Sequence, residues 1–130
     1  MGIVAVFAGL AVGSFLNVCI DRLPERRSLL RPRSHCDACQ TPLTGRDLIP
    51  IASYLLLRGR CRHCSAAIPP RVVLVESATA LAFFGWWLYW GESWQAAVAV
   101  AMTCVLIVSA VIGVEHGPYL NRLRRTRHGD

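Results

Sequence analysis

Two cysteine pairs, Cys36-Asp-Ala-Cys39 and Cys61-Arg-His-Cys64, are the residues of this chain best suited to chemistry. Each C-x-x-C turn presents two sulfurs from one short loop, and four thiolates satisfy the tetrahedral preference of Zn²⁺. The reading is a zinc knuckle with Cys36, Cys39, Cys61 and Cys64 as ligands. The stretch between the pairs, 40–60, is slightly longer than in an ordinary zinc ribbon and leaves room for a hairpin or a short helix after Pro50. His35 and His63 adjoin the cysteines and could replace a thiolate, but four sulfurs already complete the shell. Two alternatives stay open at this stage: disulfides, if the block faces an oxidising compartment, and reduced thiols without metal.

The elements that must position these sulfurs are apolar. The composition is 54% hydrophobic with a mean hydropathy of +0.41, too apolar for an ordinary soluble domain. Three runs carry the excess, Gly2–Ile20, Val72–Trp90 and Ala96–Val114. Each approaches the roughly 20 residues that a helix needs to cross about 30 Å of hydrocarbon. The alternative, three buried core helices, is hard to accommodate in so small a globule. The expected fold is all-α and membrane-integral. Transmembrane helices occupy 1–20, 71–90 and 96–114, a cytoplasmic four-cysteine domain occupies 21–70 between the first two, and 115–130 form a basic cytoplasmic tail.

Charge sets the orientation. The formal net charge is +6, and all 14 basic residues are arginine. Ten lie in or beside the cysteine block and four in the tail, whereas the turn Gly91–Gln95 carries none. The positive-inside rule places the block and the C-terminus in the cytoplasm and the N-terminus outside. A cytoplasmic address keeps thiols reduced and favours metal over disulfide. Basic residues beside spans have a topological cause, so no nucleic-acid partner is expected.

Within the spans, Gly9 and Gly13 form a G-x-x-x-G step, extended by Ser14, that lets a neighbouring helix approach closely. Asn17 lies about one turn from the cytoplasmic end of the first span. Glu76 lies inside the second and is either a functional group at the membrane face or one that snorkels or pairs with Arg71. Phe83, Phe84, Trp86, Trp87, Tyr89, Trp90 and Trp94 crowd the other end as an aromatic belt. Cys19 and Cys104 read as small apolar fillers. The first run lacks the basic start and cleavage site of a signal peptide and reads as a retained helix.

Gly13-Ser-Phe-Leu-Asn17, Arg22-Leu-Pro24, Arg33-Ser-His-Cys-Asp-Ala-Cys39, Ile49-Pro50, Ser53-Tyr54-Leu55, Arg58-Gly-Arg-Cys-Arg-His-Cys64 and Arg71 to Glu76 together resemble the amino-terminal part of type IV prepilin peptidases. The likeness runs in order from about Gly9 to Leu81. It implies a bacterial inner-membrane protein of pilus and type II secretion assembly, from a family that cuts leaders from prepilins and pseudopilins. The same family methylates the new amino terminus with S-adenosylmethionine, and the resemblance assigns the zinc-binding block to that methylating part. Asn17, Arg22, Arg60 and Glu76 become candidate polar groups around the methyl donor, although no Gly-rich nucleotide loop is present.

The family's aspartyl protease needs two carboxylates, one ionised to activate water and one protonated to polarise the carbonyl. The first lies in a motif resembling Ile-Asp-x-x-His/Lys-x-x-x-Pro-Asp/Asn. Ile112-Gly-Val-Glu-His-Gly-Pro-Tyr-Leu-Asn121 corresponds to it here, with Gly113 at the aspartate position and Leu120 at the proline position. The second lies in a Gly-x-Gly-Asp motif several helices later, and Gly129-Asp130 lacks that context. No residue of this chain is assigned a catalytic role, and the expectation is that it does not cleave prepilin by itself. Three functional readings follow: an amino-terminal module working with a separate protease-half chain or as a homo-oligomer, a stand-alone N-methyltransferase, and a non-catalytic scaffold.

Overall fold

A computed structural model describes residues 1–31, 34–47 and 49–127, without the side chains of His116 and of 118–127. Pro32, Arg33, Leu48, the Leu120 side chain, the tail arginine side chains and Asp130 therefore lie outside the described residues. The order is α1 (Gly2–Arg22), α2 (Ala52–Leu56), α3 (Arg71–Trp90) and α4 (Trp94–Arg127). Among the described residues there is no strand, only the isolated bridges His35–Pro42 and Arg60–Ala67. Among the described residues three helices are long and apolar enough to cross a membrane, over Gly2–Arg22, Arg71–Trp90 and Trp94–Glu115. The cysteine block hangs between the first two.

Helix α1 runs to Arg22, two residues past the expected span. Leu23 is still α-helical and caps the helix through its amide to Cys19 O, and Pro24 then bars continuation. Helix α3 starts behind Pro69-Pro70, where a missing N–H costs the helix nothing. Helix α4 is 34 residues long, about 50 Å. It runs through Glu115 and Pro118 to Arg127, so the apolar window ends at Glu115 while the helix itself continues. Arginine and leucine are good helix formers, which lets the basic stretch stay helical beyond the apolar one.

Helices α1 and α3 are antiparallel and pack closely at the small residues. A Cβ at Gly9 would stand 2.6 Å from Ala80 Cα, and one at Gly13 would stand 2.7 Å from Glu76 Cα. Only glycine admits that approach, and the G-x-x-x-G step is therefore used inside the chain. Leu16, Ile20 and Val75 form the buried centre, onto which Val108, Val111 and Ile112 of α4 pack. At the far end Trp86 and Trp90 stack with centroids 5.0 Å apart, and Trp86 Nε1 donates to Thr103 Oγ1 at 3.1 Å, joining α3 to α4.

Candidate metal centre and the cleft beneath it

The two cysteine pairs fold as two copies of one hairpin. In the first, Cys36 N donates to Thr41 O, Gln40 N to Cys36 O and Leu43 N to Ser34 O. Twenty-five residues later Cys61 N donates to Ala66 O, Ser65 N to Cys61 O and Ile68 N to Gly59 O. Gln40 and Ser65, each following the second cysteine of its pair, both take a positive φ, 57° and 58°. That turn aims both sulfurs of a pair at a common point. Gly59, at the base of the second hairpin, has a φ of +67°, and a Cβ there would come within 2.9 Å of the Tyr54 ring, which accounts for the glycine.

The four Sγ atoms lie within 4.8 Å of one another. Across the two hairpins, Cys36 Sγ stands 3.7 Å from Cys64 Sγ and Cys39 Sγ 4.0 Å from Cys61 Sγ. A Zn–S bond of about 2.3 Å in tetrahedral geometry needs sulfurs about 3.8 Å apart. A disulfide needs about 2.05 Å, and all four cysteines are free. The cluster fits a tetrahedral metal with all positions filled by protein, the closed shell of a structural site.

Local donors favour the thiolate form at part of this set. The Thr41 hydroxyl, 3.2 Å from Cys39 Sγ, together with the Thr41 amide holds Cys39 down to about 6. The Cys64 and His63 amides lower Cys61. Cys64 is pushed up to about 12: the Ala66 amide opposes the rise, but desolvation and the thiols of Cys39, Cys36 and Cys61 outweigh it. Crowding of this kind opposes ionising all four thiols together, and a bound cation would remove that opposition. Outside the cluster, Asp47 fastens the two hairpins together. Its carboxylate accepts from Thr44 N and Oγ1 and from Arg62 Nε at 2.9 Å, and these contacts hold it down to about 2.

Between this block and the helix ends lies a cleft of about 310 Å³, at the lower end of ligand-site sizes. Ser14, Asp21, Arg71 and Glu76 line it from the helices, and His35, Asp47, Tyr54 and His63 from the block. Glu76 is buried at 3% exposure, and its Oε2 accepts from Ile51 N at 2.7 Å. Ile51 is the centre of a tight turn (φ 57°, ψ −48°), with Ala52 N donating to Pro50 O. Positive φ at a β-branched residue costs of order 1–3 kcal/mol. The buried carboxylate accepting the Ile51 amide helps to hold it there.

Arg71 does not pair with Glu76. Its Nη2 reaches Asp21 at 2.6 Å and its Nε reaches Glu115 at 3.1 Å, tying the end of α1 and the start of α3 to the body of α4, while buried Nη1 has no partner among the described residues. Asn17 is buried beside the cleft without lining it. Its Nδ2 donates to Gly13 O and Val72 O, and its Oδ1 has no partner among the described residues. Arg22 binds Ser28 O at 2.8 Å on another face, and Arg60 is exposed at the base of the second hairpin. Of the four polar candidates, then, the structure brings only Glu76 to the cleft. Sequence reasoning missed the Ile51 amide, which has no signature because every residue but proline carries one. It also missed the pairing of Asp47 with Arg62, fifteen residues apart in sequence.

A description of the bacterial peptidase A24 N-terminal domain matches residues 7–90. The chain belongs to the bacterial A24 peptidase family. Among curated relatives, a type 4 prepilin-like proteins leader peptide-processing enzyme of Escherichia coli O78:H11 is 41% identical over 89% of this chain and 50% of its own length. A prepilin leader peptidase/N-methyltransferase of Myxococcus xanthus is 42% identical over 83% of this chain and 32% of its own. One of Pseudomonas aeruginosa is 35% identical over 85% and 46%. The chain thus spans about half the length of these relatives, or less. No solved structure matches it. The A24 N-terminal match takes in the cysteine block, Gly9 and Gly13 of α1 and Glu76, so the cleft is built within that domain.

Proposed function

We propose that this chain is the methylating, metal-stapled module of a prepilin leader peptidase/N-methyltransferase and does not hydrolyse the leader by itself. The observation that carries this reading is the cleft, where a four-sulfur block closes over Glu76, Asp21 and Arg71 at the mouth of the helix bundle. Zinc held by Cys36, Cys39, Cys61 and Cys64 would supply no open position. It would fold the block, as structural zinc does.

The client would be the cationic amino terminus of a processed pilin or pseudopilin, presented at the membrane surface. S-adenosylmethionine supplies the methyl group as a sulfonium. The Glu76 carboxyl offers the cleft an acceptor suited to the amine or the sulfonium, Asp21 being already paired with Arg71, and the covering block excludes water. The positive-inside rule supports a plasma-membrane orientation with the block and α4's basic end in the cytoplasm and the N-terminus outside.

Peptide hydrolysis is assigned elsewhere because the local carboxylate is missing. Gly113 has no side chain and faces open space, and the neighbouring Glu115 is engaged by Arg71. A protease half would provide the acid pair.

The test is transfer of a labelled methyl group from S-adenosylmethionine to a processed pilin peptide by membranes containing this chain, alone and with a protease-half chain. Transfer that is lost in Cys61→Ser, with prepilin left uncut by the chain alone, is the expected result. No transfer in either setting would overturn the methylating reading and favour a scaffold. Cleavage by the chain alone would overturn the Gly113 argument.

A further inference from the structure

The geometry points to a lipid contact within the cysteine block: the turn and helix 49–57 enters the membrane surface and lays Ile49, Leu55 and Leu56 against acyl chains. Three observations independent of methyl transfer carry this.

The first is depth. Ile51 N is bound to Glu76, five residues inside α3 and so about 7.5 Å along it. Glu76 in turn sits level with Gly13, nine residues before the end of α1. The start of α2 is therefore sunk between helix ends that lie in the bilayer, at the depth of about 5–10 Å reached by interfacial helices.

The second is the face presented. Ser53 is buried and its hydroxyl donates to Arg46 O, and Tyr54 packs on Gly59, so these residues look into the block. Ile49, Leu55 and Leu56 are 52%, 66% and 83% exposed on a segment of nine residues with no charge. A single exposed leucine is ordinary, but a cluster at membrane depth has a solvent waiting for it.

The third is the rim. Arg46, Arg58 and Arg60 flank the segment and are exposed, placing cations where anionic headgroups lie. The acid nearest in sequence, Asp47, is occupied by Arg62 and Thr44.

The experiment uses the full chain in vesicles of phosphatidylethanolamine and phosphatidylglycerol carrying a diazirine-bearing acyl chain. After photolysis and trypsin, the Asp47–Arg58 peptide is expected to carry lipid adducts alongside the two peptides that hold the three spans, 1–22 and 72–122. The double variant Leu55→Asn/Leu56→Asn should lose those adducts several-fold while span adducts and helical circular dichroism stay unchanged. Should that variant misfold, the wild-type labelling decides alone. Labelled spans with an unlabelled 47–58 peptide would overturn the proposal, as would cross-links joining two copies through this segment in place of lipid.

Discussion

The Ile51 amide donates to the Glu76 carboxylate across 2.7 Å, linking the cysteine block to the membrane helix beneath it. Replacing Glu76 by leucine leaves that amide with no acceptor and should destabilise the block by about 1–3 kcal/mol. Glu76→Gln keeps a carbonyl oxygen in reach and should lose less. Limited proteolysis of 23–70 in detergent measures this. Equal protection in wild type and Glu76→Leu would show that the bond does not hold the block.

The contact between Gly13 and Glu76 Cα leaves no room for a methyl group. Gly13→Ala should force α1 from α3 and destabilise the chain by about 1–3 kcal/mol. Gly85→Ala, where a Cβ meets open space, should be neutral or slightly stabilising. Thermal unfolding of both variants compares them directly, and a harmless Gly13→Ala would contradict the packing.

Arg71 serves two carboxylates from different helices. A double-mutant cycle of Arg71→Ala with Asp21→Asn should give a coupling of about 0.5–1 kcal/mol, because Arg71 is mostly covered while Asp21 is open to water. Zero coupling would mean that the pair is incidental.

Asp47 carries a pH signature. Its pKa is held down to about 2 by the Thr44 hydroxyl, Arg62 and the Thr44 amide, so its contribution is fully present above the ordinary carboxylate range and is lost only as pH falls toward 2. Asp47→Asn should therefore speed chelator-driven metal release by a constant factor between pH 5.5 and 8. Thiolate protonation changes both rates across that range but not their ratio. A ratio drifting steadily with pH would assign the effect to another group.

Much of this arrangement was legible from residue types. The paired cysteines announce their geometry because C-x-x-C can do little else with two sulfurs, and Gly9 and Gly13 announce a close helix contact. Glu76 was visible as a carboxylate in an apolar run. Its partner was not, since a main-chain amide is fixed by the path of the turn at Ile51 and not by any side chain. The short helix after Pro50 could be anticipated, yet the outward face of Leu55 and Leu56 could not, because one and a half turns hold too few residues to show a period. Nor does sequence spacing reveal that Arg71 reaches Asp21 and Glu115, fifty and forty-four residues away.

The account rests on four sulfurs gathered round one metal above the cleft. Elemental analysis of chain purified without chelator tests this most directly. The prediction is about one zinc per chain, lost in Cys36→Ser or Cys61→Ser together with the protease resistance of the block. A metal-free chain with an intact, protease-resistant block, or sulfurs joined to one another as disulfides, would contradict it.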